Sequence, residues 1–210
     1  MVKSVQNAVL GRRERRKEET RKQIFQAAMK LFGKKGVFAT TVEEITEAAD
    51  VGKGTFFNYF PSKEAILSAL AERQLGVINT AVERAQTAES VRPVLKDMCR
   101  ELSSVPGRSQ ILLRSLLGMV LSNKFMFELF QSVLSKGRER VVLIVERGQH
   151  LGEIRRDIPA TIIARCLQQV AFGTNFIWAA SPASDLTEWH ETSMDLLWRG
   201  IASRPERVPQ

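Results

Sequence analysis

A proline closes the most crowded stretch of this chain. From Val51 to Leu67 the sequence reads VGKGTFFNYFPSKEAIL, with the rings Phe56, Phe57, Tyr59 and Phe60 within five positions and Pro61 directly after them. Proline disfavours helical backbone in the residue before it. A helix that starts near Gly52 or Lys53 therefore cannot extend far past Phe60, which leaves about seven residues. Phe56 and Phe60, four apart, share one side of such a helix. Lys53, Thr55, Asn58 and Tyr59 are left for the other. A core helix has no need of those polar groups, and a surface helix has no need of so many rings. The stretch reads as a helix with one face packed and one face presented to a partner.

The preceding residues supply what it packs on. Ile24, Ala27, Ala28, Leu31 and Phe32 recur at helical spacing and predict a helix over about 18–35, closed by the GKKG run Gly33 to Gly36. Thr41 and Glu44 have the spacing of a capping box and open a second, short helix with Val42, Ile45 and Ala49 inside. Asp50 falls at the break, and Asp accepts left-handed backbone more readily than most residues with a Cβ. Two short helices joined by a tight turn and packed on a longer one form a helix-turn-helix reader, whose second helix enters the major groove. There Lys53 can donate to guanine or phosphate, and Asn58 can pair with adenine through two hydrogen bonds. The hydroxyls of Thr55 and Tyr59 suit phosphate.

Charge agrees with a polyanionic partner. The net charge is +8, and residues 1–67 carry thirteen Lys and Arg against eight Asp and Glu. Residues 1–17 are polar and end in RRERRK. They read either as a solvated tail or as a flexible basic arm that adds phosphate or minor-groove contacts.

The rest of the chain lacks strand signals and keeps the helical period. A long fourth helix is expected from Pro61 to about Ala85. Further helices follow at about 89–104, 109–122, 125–149, 158–180 and 185–203. The chain is thus all-α, with about nine helices. The last two carry wide apolar faces, either as plain core or as faces that pack against a second copy. Met98, Leu102, Leu113, Leu116, Met119, Phe127, Phe130, Phe172 and Trp178, with the amide Asn175, form a candidate ligand pocket on the middle helices. The same residues would serve equally as core.

The segment Phe38 to Leu67, FATTVEEITEAADVGKGTFFNYFPSKEAIL, resembles the DNA-binding domain of the TetR family of bacterial regulators. The likeness extends over about 45 residues from Ile24. Beyond them only the all-helical layout, the GEIRRDI turn near Gly148 to Ile158 and the final LLWRGI match. The resemblance implies that Thr40 and Thr41 touch phosphate and that Lys63 meets phosphate at the start of the fourth helix. Lys53 would reach bases or phosphate, with Gly54 allowing close approach, and Thr55 and Tyr59 would hold phosphate. Asn58 stands at a base-reading position. Phe57 replaces a common Tyr, and Gly52 replaces a capping Ser.

The chain therefore divides into an arm at 1–17, a reader at 18–66 and an effector-binding and dimerising domain at 67–210. It is expected to act as a cytoplasmic homodimer held together by residues 158–203. It would repress at a near-palindromic double-stranded DNA operator and leave it when an apolar small-molecule effector binds. Two rival readings remain: a regulator with no small-molecule effector, and a ligand-binding bundle that no longer reads DNA. No nucleophile-base set or phosphate loop stands out, so no enzymatic activity and no cofactor are expected. His150 and His190 lack metal-ligand spacing, and Cys99 and Cys166 lack the spacing of a zinc site.

Overall fold

The computed structural model describes residues 11–104, 109–182 and 185–203. Among them the chain forms nine α-helices and no strand. They are α1 (Arg12–Lys35), α2 (Val42–Ala48), α3 (Lys53–Tyr59), α4 (Ala65–Thr87) and α5 (Val91–Ser103), then α6 (Gln110–Ser122), α7 (Lys124–His150), α8 (Ala160–Ala180) and α9 (Leu186–Ile201). The all-α fold expected from the sequence is present. The chain divides into two compact units between Ala69 and Leu70, inside α4.

In the first unit α1 buries Ile24, Ala27, Ala28 and Phe32, the face its spacing predicts. It begins earlier than expected, at Arg12 rather than near residue 18. Arg12, Arg13, Arg15, Arg16 and Lys17 thus belong to its first turns and not to a flexible arm. Arg and Lys are good helix formers, and the Glu14 carboxylate accepts from the Gly11 N–H at 3.3 Å, satisfying one donor of the helix start. The rest of the proposed arm, residues 1–10, lies outside the described residues. Gly36 ends the helix at φ 83°, where a side chain would be strained.

α4 begins later than expected. Pro61 to Lys63 form bends, and the Ser62 hydroxyl accepts from the Ala65 N–H at 3.3 Å, so the helix starts at Ala65.

The second unit is built from the remainder of α4 and from α5 to α9. Its main core joins Ile78 and Ala81 of α4, Val94 and Leu95 of α5, and Ile144 and Val145 of α7 with Ile163 and Leu167 of α8. A smaller cluster packs Leu113 of α6 on Trp178 and Ala179 of α8 and on Leu186 of α9. The GEIRRDI turn locks these helices together. Ile154 is fully buried and bridges to Ala202, just past the end of α9. The Glu153 carboxylate accepts from the Val91 N–H at 2.9 Å, capping α5.

Candidate nucleic-acid interface

The turn between α2 and α3 is set by four residues. The Thr41 hydroxyl accepts from the Glu44 N–H at 3.3 Å while the Glu44 carboxylate accepts from the Thr41 N–H at 2.9 Å, so the capping box closes. Asp50 takes φ 51°, the left-handed turn residue. Gly52 then caps α3 with no side-chain hydrogen bond. Phe60 ends α3 in extended backbone ahead of Pro61.

α3 is anchored from behind by its rings. Phe56 and Phe60 are 0% and 2% exposed, with centroids 6.1 Å apart. The Arg21 guanidinium of α1 lies 5.5 Å from the Phe60 ring centroid. Phe57 is 51% exposed and meets Phe56 only edge-on at 5.3 Å, so its ring stands on the outer side of the helix. Lys53, Gly54 and Asn58 are exposed beside it, while Thr55 and Tyr59 are half-buried. A Cβ at Gly54 would meet no atom within 4 Å, leaving open ground for a partner.

Two ion pairs border this face. Lys53 of α3 pairs with Glu43 of α2. Its hydrogen bond holds the Glu43 carboxyl below the usual range. Lys35 pairs with Glu44, which together with the capping box brings that carboxyl to about 2. An incoming phosphate can compete for Lys53 because the pair is exposed and worth little in water.

Two of the residues implied by resemblance, Thr40 and Lys63, are engaged inward, and the exposed Thr41 is occupied at the helix start. Thr40 is fully buried, and its hydroxyl donates to the Gly36 carbonyl at 2.7 Å, so it braces the end of α1 instead of touching phosphate. The Thr41 hydroxyl is engaged in the capping box and also lies 3.2 Å from a Glu44 carboxylate oxygen. Lys63 donates to the carbonyls of Val37, Phe38 and Thr40 at 3.0, 3.2 and 2.8 Å. Its ammonium ties down the segment between α1 and α2, with all three protons matched to carbonyls. A lysine next to a proline turn gave no sequence signal for that inward role.

The ten residues of the expected pocket fall into several packed groups. Met98 is in the main core, with Leu102 packed against it, while Leu113 and Trp178 belong to the smaller cluster. Phe130 and Phe172 meet ring to ring at 5.4 Å. Met119 is buried, Leu116 is half-buried and Phe127 is 42% exposed. The Asn175 amide donates to the Ala171 carbonyl of its own helix at 2.8 Å. These residues mostly pack against one another because apolar side chains at helical spacing fill the space between helices before any cavity is left. A cleft of about 250 Å³ opens elsewhere, between α5 and α9, and none of the ten lines it.

Comparison with known proteins fits this geometry. A family model described as bacterial regulatory proteins, tetR family, matches residues 24–70. The chain is 30% identical to Thermus thermophilus FadR, a TetR family transcriptional repressor solved in complex with lauroyl-CoA, over 90% of this chain and 99% of that one, with a TM-score of 0.59. The HTH-type transcriptional regulator TtgR of Pseudomonas putida is 26% identical over 194 residues, 86% of this chain and 92% of its own. The transcriptional regulator YuxN of Bacillus subtilis is 45% identical over 53 residues, and there the chain spans only 18% of the relative's length.

Proposed function

The chain belongs to the TetR family of bacterial transcriptional regulators, and from that premise we propose that it is a homodimeric repressor that leaves its operator when a largely apolar effector binds. One observation carries the DNA half of this reading. α3 buries Phe56 and Phe60 and turns Lys53, Gly54, Phe57 and Asn58 outward, so the anchored helix presents a candidate base reader with one cation, Lys53, on the same face. Asn58 reads a base, Lys53 reaches base or phosphate once released from Glu43, and Thr55 and Tyr59 hold phosphate. Among the described residues no helix is long and apolar enough to cross a membrane.

The effector half rests on kinship with a repressor solved with lauroyl-CoA. Leu113 of α6 and Trp178 of α8 are packed in one cluster. An apolar ligand entering there must part α6 from α8, and so prefers a conformation other than the ligand-free one. That difference in affinity is what moves an equilibrium.

The test is a gel shift on the DNA upstream of the gene, with base substitutions across the bound site. Asn58→Ala should erase preference at one base pair of each half-site, a loss of about 1–3 kcal/mol. Tyr59→Phe should weaken every sequence alike. Lauroyl-CoA is the first effector probe, and Met119→Trp, which overfills the space beside α6, should blunt its release of DNA. An unchanged base profile in Asn58→Ala would remove Asn58 as the reader.

A further inference from the structure

The cleft between α5 and α9 lies wholly within the second unit and has its own chemistry. His190 lines it, is only 4% exposed, and neither Nδ1 nor Nε2 has a hydrogen-bond partner among the described residues. Buried polar side chains are ordinarily paired, and each exception calls for a cause. Burial pushes the imidazole pKa down, so at neutral pH the ring offers one donor and one acceptor.

The cations of the cleft are loosely held. Lys96 Nζ and an Arg100 guanidinium nitrogen lie 3.8 and 3.6 Å from the same Glu191 carboxylate oxygen, beyond good hydrogen-bond length. Arg100 also reaches Asp97 at 3.2 Å, but the Asp97 carboxylate is shared with Arg84 at 2.8 Å. Lys96, Arg100 and Arg84 thus share two carboxylates, Glu191 and Asp97, which leaves one positive charge to spare. Leu186, Met194 and Cys99 give it an apolar wall. Burial pushes the Cys99 thiol up to about 11, so it stays protonated and acts as soft apolar surface rather than as a nucleophile. Among the described residues no three His, Cys, Asp or Glu groups stand together as a metal set, so His190 is not accounted for as a ligand to a metal.

We propose that this cleft binds a small hydroxylated aryl carboxylate, with its carboxylate on Lys96 and Arg100, its ring against Met194 and Cys99, and its hydroxyl paired with His190, whose ring nitrogens are sealed from water in the ligand-free chain and turn to meet it. The cleft is too small for a long acyl chain, since ligand sites for drug-sized molecules start near 300 Å³. A single aromatic ring bearing two polar groups matches its size and its mixed lining of cations on α5 and an imidazole on α9. This reading goes beyond the regulator assignment and does not depend on it.

The experiment is an NMR titration of the full chain with 4-hydroxybenzoate, observing the histidine rings. The sequence has only two, so each is resolved. The His190 ring signals should move and saturate, while those of exposed His150 stay in place. Methyl 4-hydroxybenzoate, without the charge, should bind about tenfold more weakly, and His190→Leu should weaken the acid about tenfold. Glu191→Gln guards against a folding artefact, because Glu191 is 45% exposed and its loss frees both cations. It should tighten 4-hydroxybenzoate binding about threefold or more. Stationary His190 signals up to about 10 mM ligand would overturn the proposal. So would equal binding of acid and ester, or an affinity unaltered by Glu191→Gln.

Discussion

At Lys63 two demands compete for one ammonium group. A cation before a helix start suits a phosphate, yet Lys63 donates to the carbonyls of Val37, Phe38 and Thr40 after α1, adding to the Thr40 N–H that Val37 already receives. The side chain is half-buried, so those bonds are only partly shared with water. Lys63→Met keeps the stem and removes the donors. It should destabilise the protein by about 1–3 kcal/mol, measured by chemical denaturation. The salt dependence of DNA binding should hold its slope, whereas loss of a phosphate contact would lower it by about 0.9. A lowered slope with unchanged stability would restore Lys63 to the interface. Glu44 makes the matching case on the acid side. Its carboxyl is held at about 2 in the folded chain, first by Lys35 and then by the Thr41 N–H, against an ordinary value of 4.5. The stabilisation it gives is fully present above pH 4.5 and fades as pH falls toward 2. Glu44→Gln should therefore be less stable at neutral pH and lose less on acidification across that window, by thermal melts at stepped pH. Parallel melting curves would show that the pair contributes nothing.

At the scale of elements, the sequence made most legible what depends on local rules. Pro61 and Asp50 bound α3 because a ring constraint and a left-handed turn act on the backbone itself. The capping box fixed the start of α2 for the same reason. The start of α1 was not legible: its first turn is polar on all sides, without the apolar period that marks a helix. The inward duties of Thr40 and Lys63 were also hidden, because they depend on where carbonyls of a distant segment fall. The pocket residues were hard to read for a further reason. Met98 and Leu113 have identical sequence signatures whether they line a cavity or fill one, and His190 gave no hint of its isolation. Gly148 was quoted only as part of a motif, yet its role is steric. A Cβ there would lie 2.6 Å from Ile154 Cδ1 and 2.7 Å from Val91 Cγ2. Ile154 cannot retreat freely, since its N–H donates to the Gly148 carbonyl and it sits in the turn that is pinned to the end of α9. Gly148→Ala should cost about 1–3 kcal/mol by overpacking, despite the better helix propensity of alanine. A denaturation midpoint at or above that of the parent chain would show that the contact relaxes.

For the whole molecule, the proposed homodimer turns one reading helix into two. A single α3 offers few base contacts, and a near-palindromic operator needs a second copy about 34–36 Å away. The second unit carries exposed apolar surface suited to that task. On α8, Phe172, Phe176 and Ile177 are 37%, 51% and 57% exposed, and Leu196 on α9 is 64% exposed. Its neighbour Leu197 turns the other way and packs against the main core. The two adjacent leucines thus separate folding from association. Leu197→Glu should place a charge against the core and destabilise the second unit, because Leu197 is partly buried there and an unpaired charge costs to desolvate. Leu196→Glu and Phe176→Glu change positions that are already in water in the single chain, so the fold should survive. If the apolar faces of α8 and α9 meet those of a partner, each of these two variants desolvates a charge in the interface and should yield folded monomers by light scattering. Operator affinity should then fall steeply, since each half-site is left with one reader, while the helical circular dichroism spectrum stays intact. A folded dimer in both variants would move the interface away from α8 and α9.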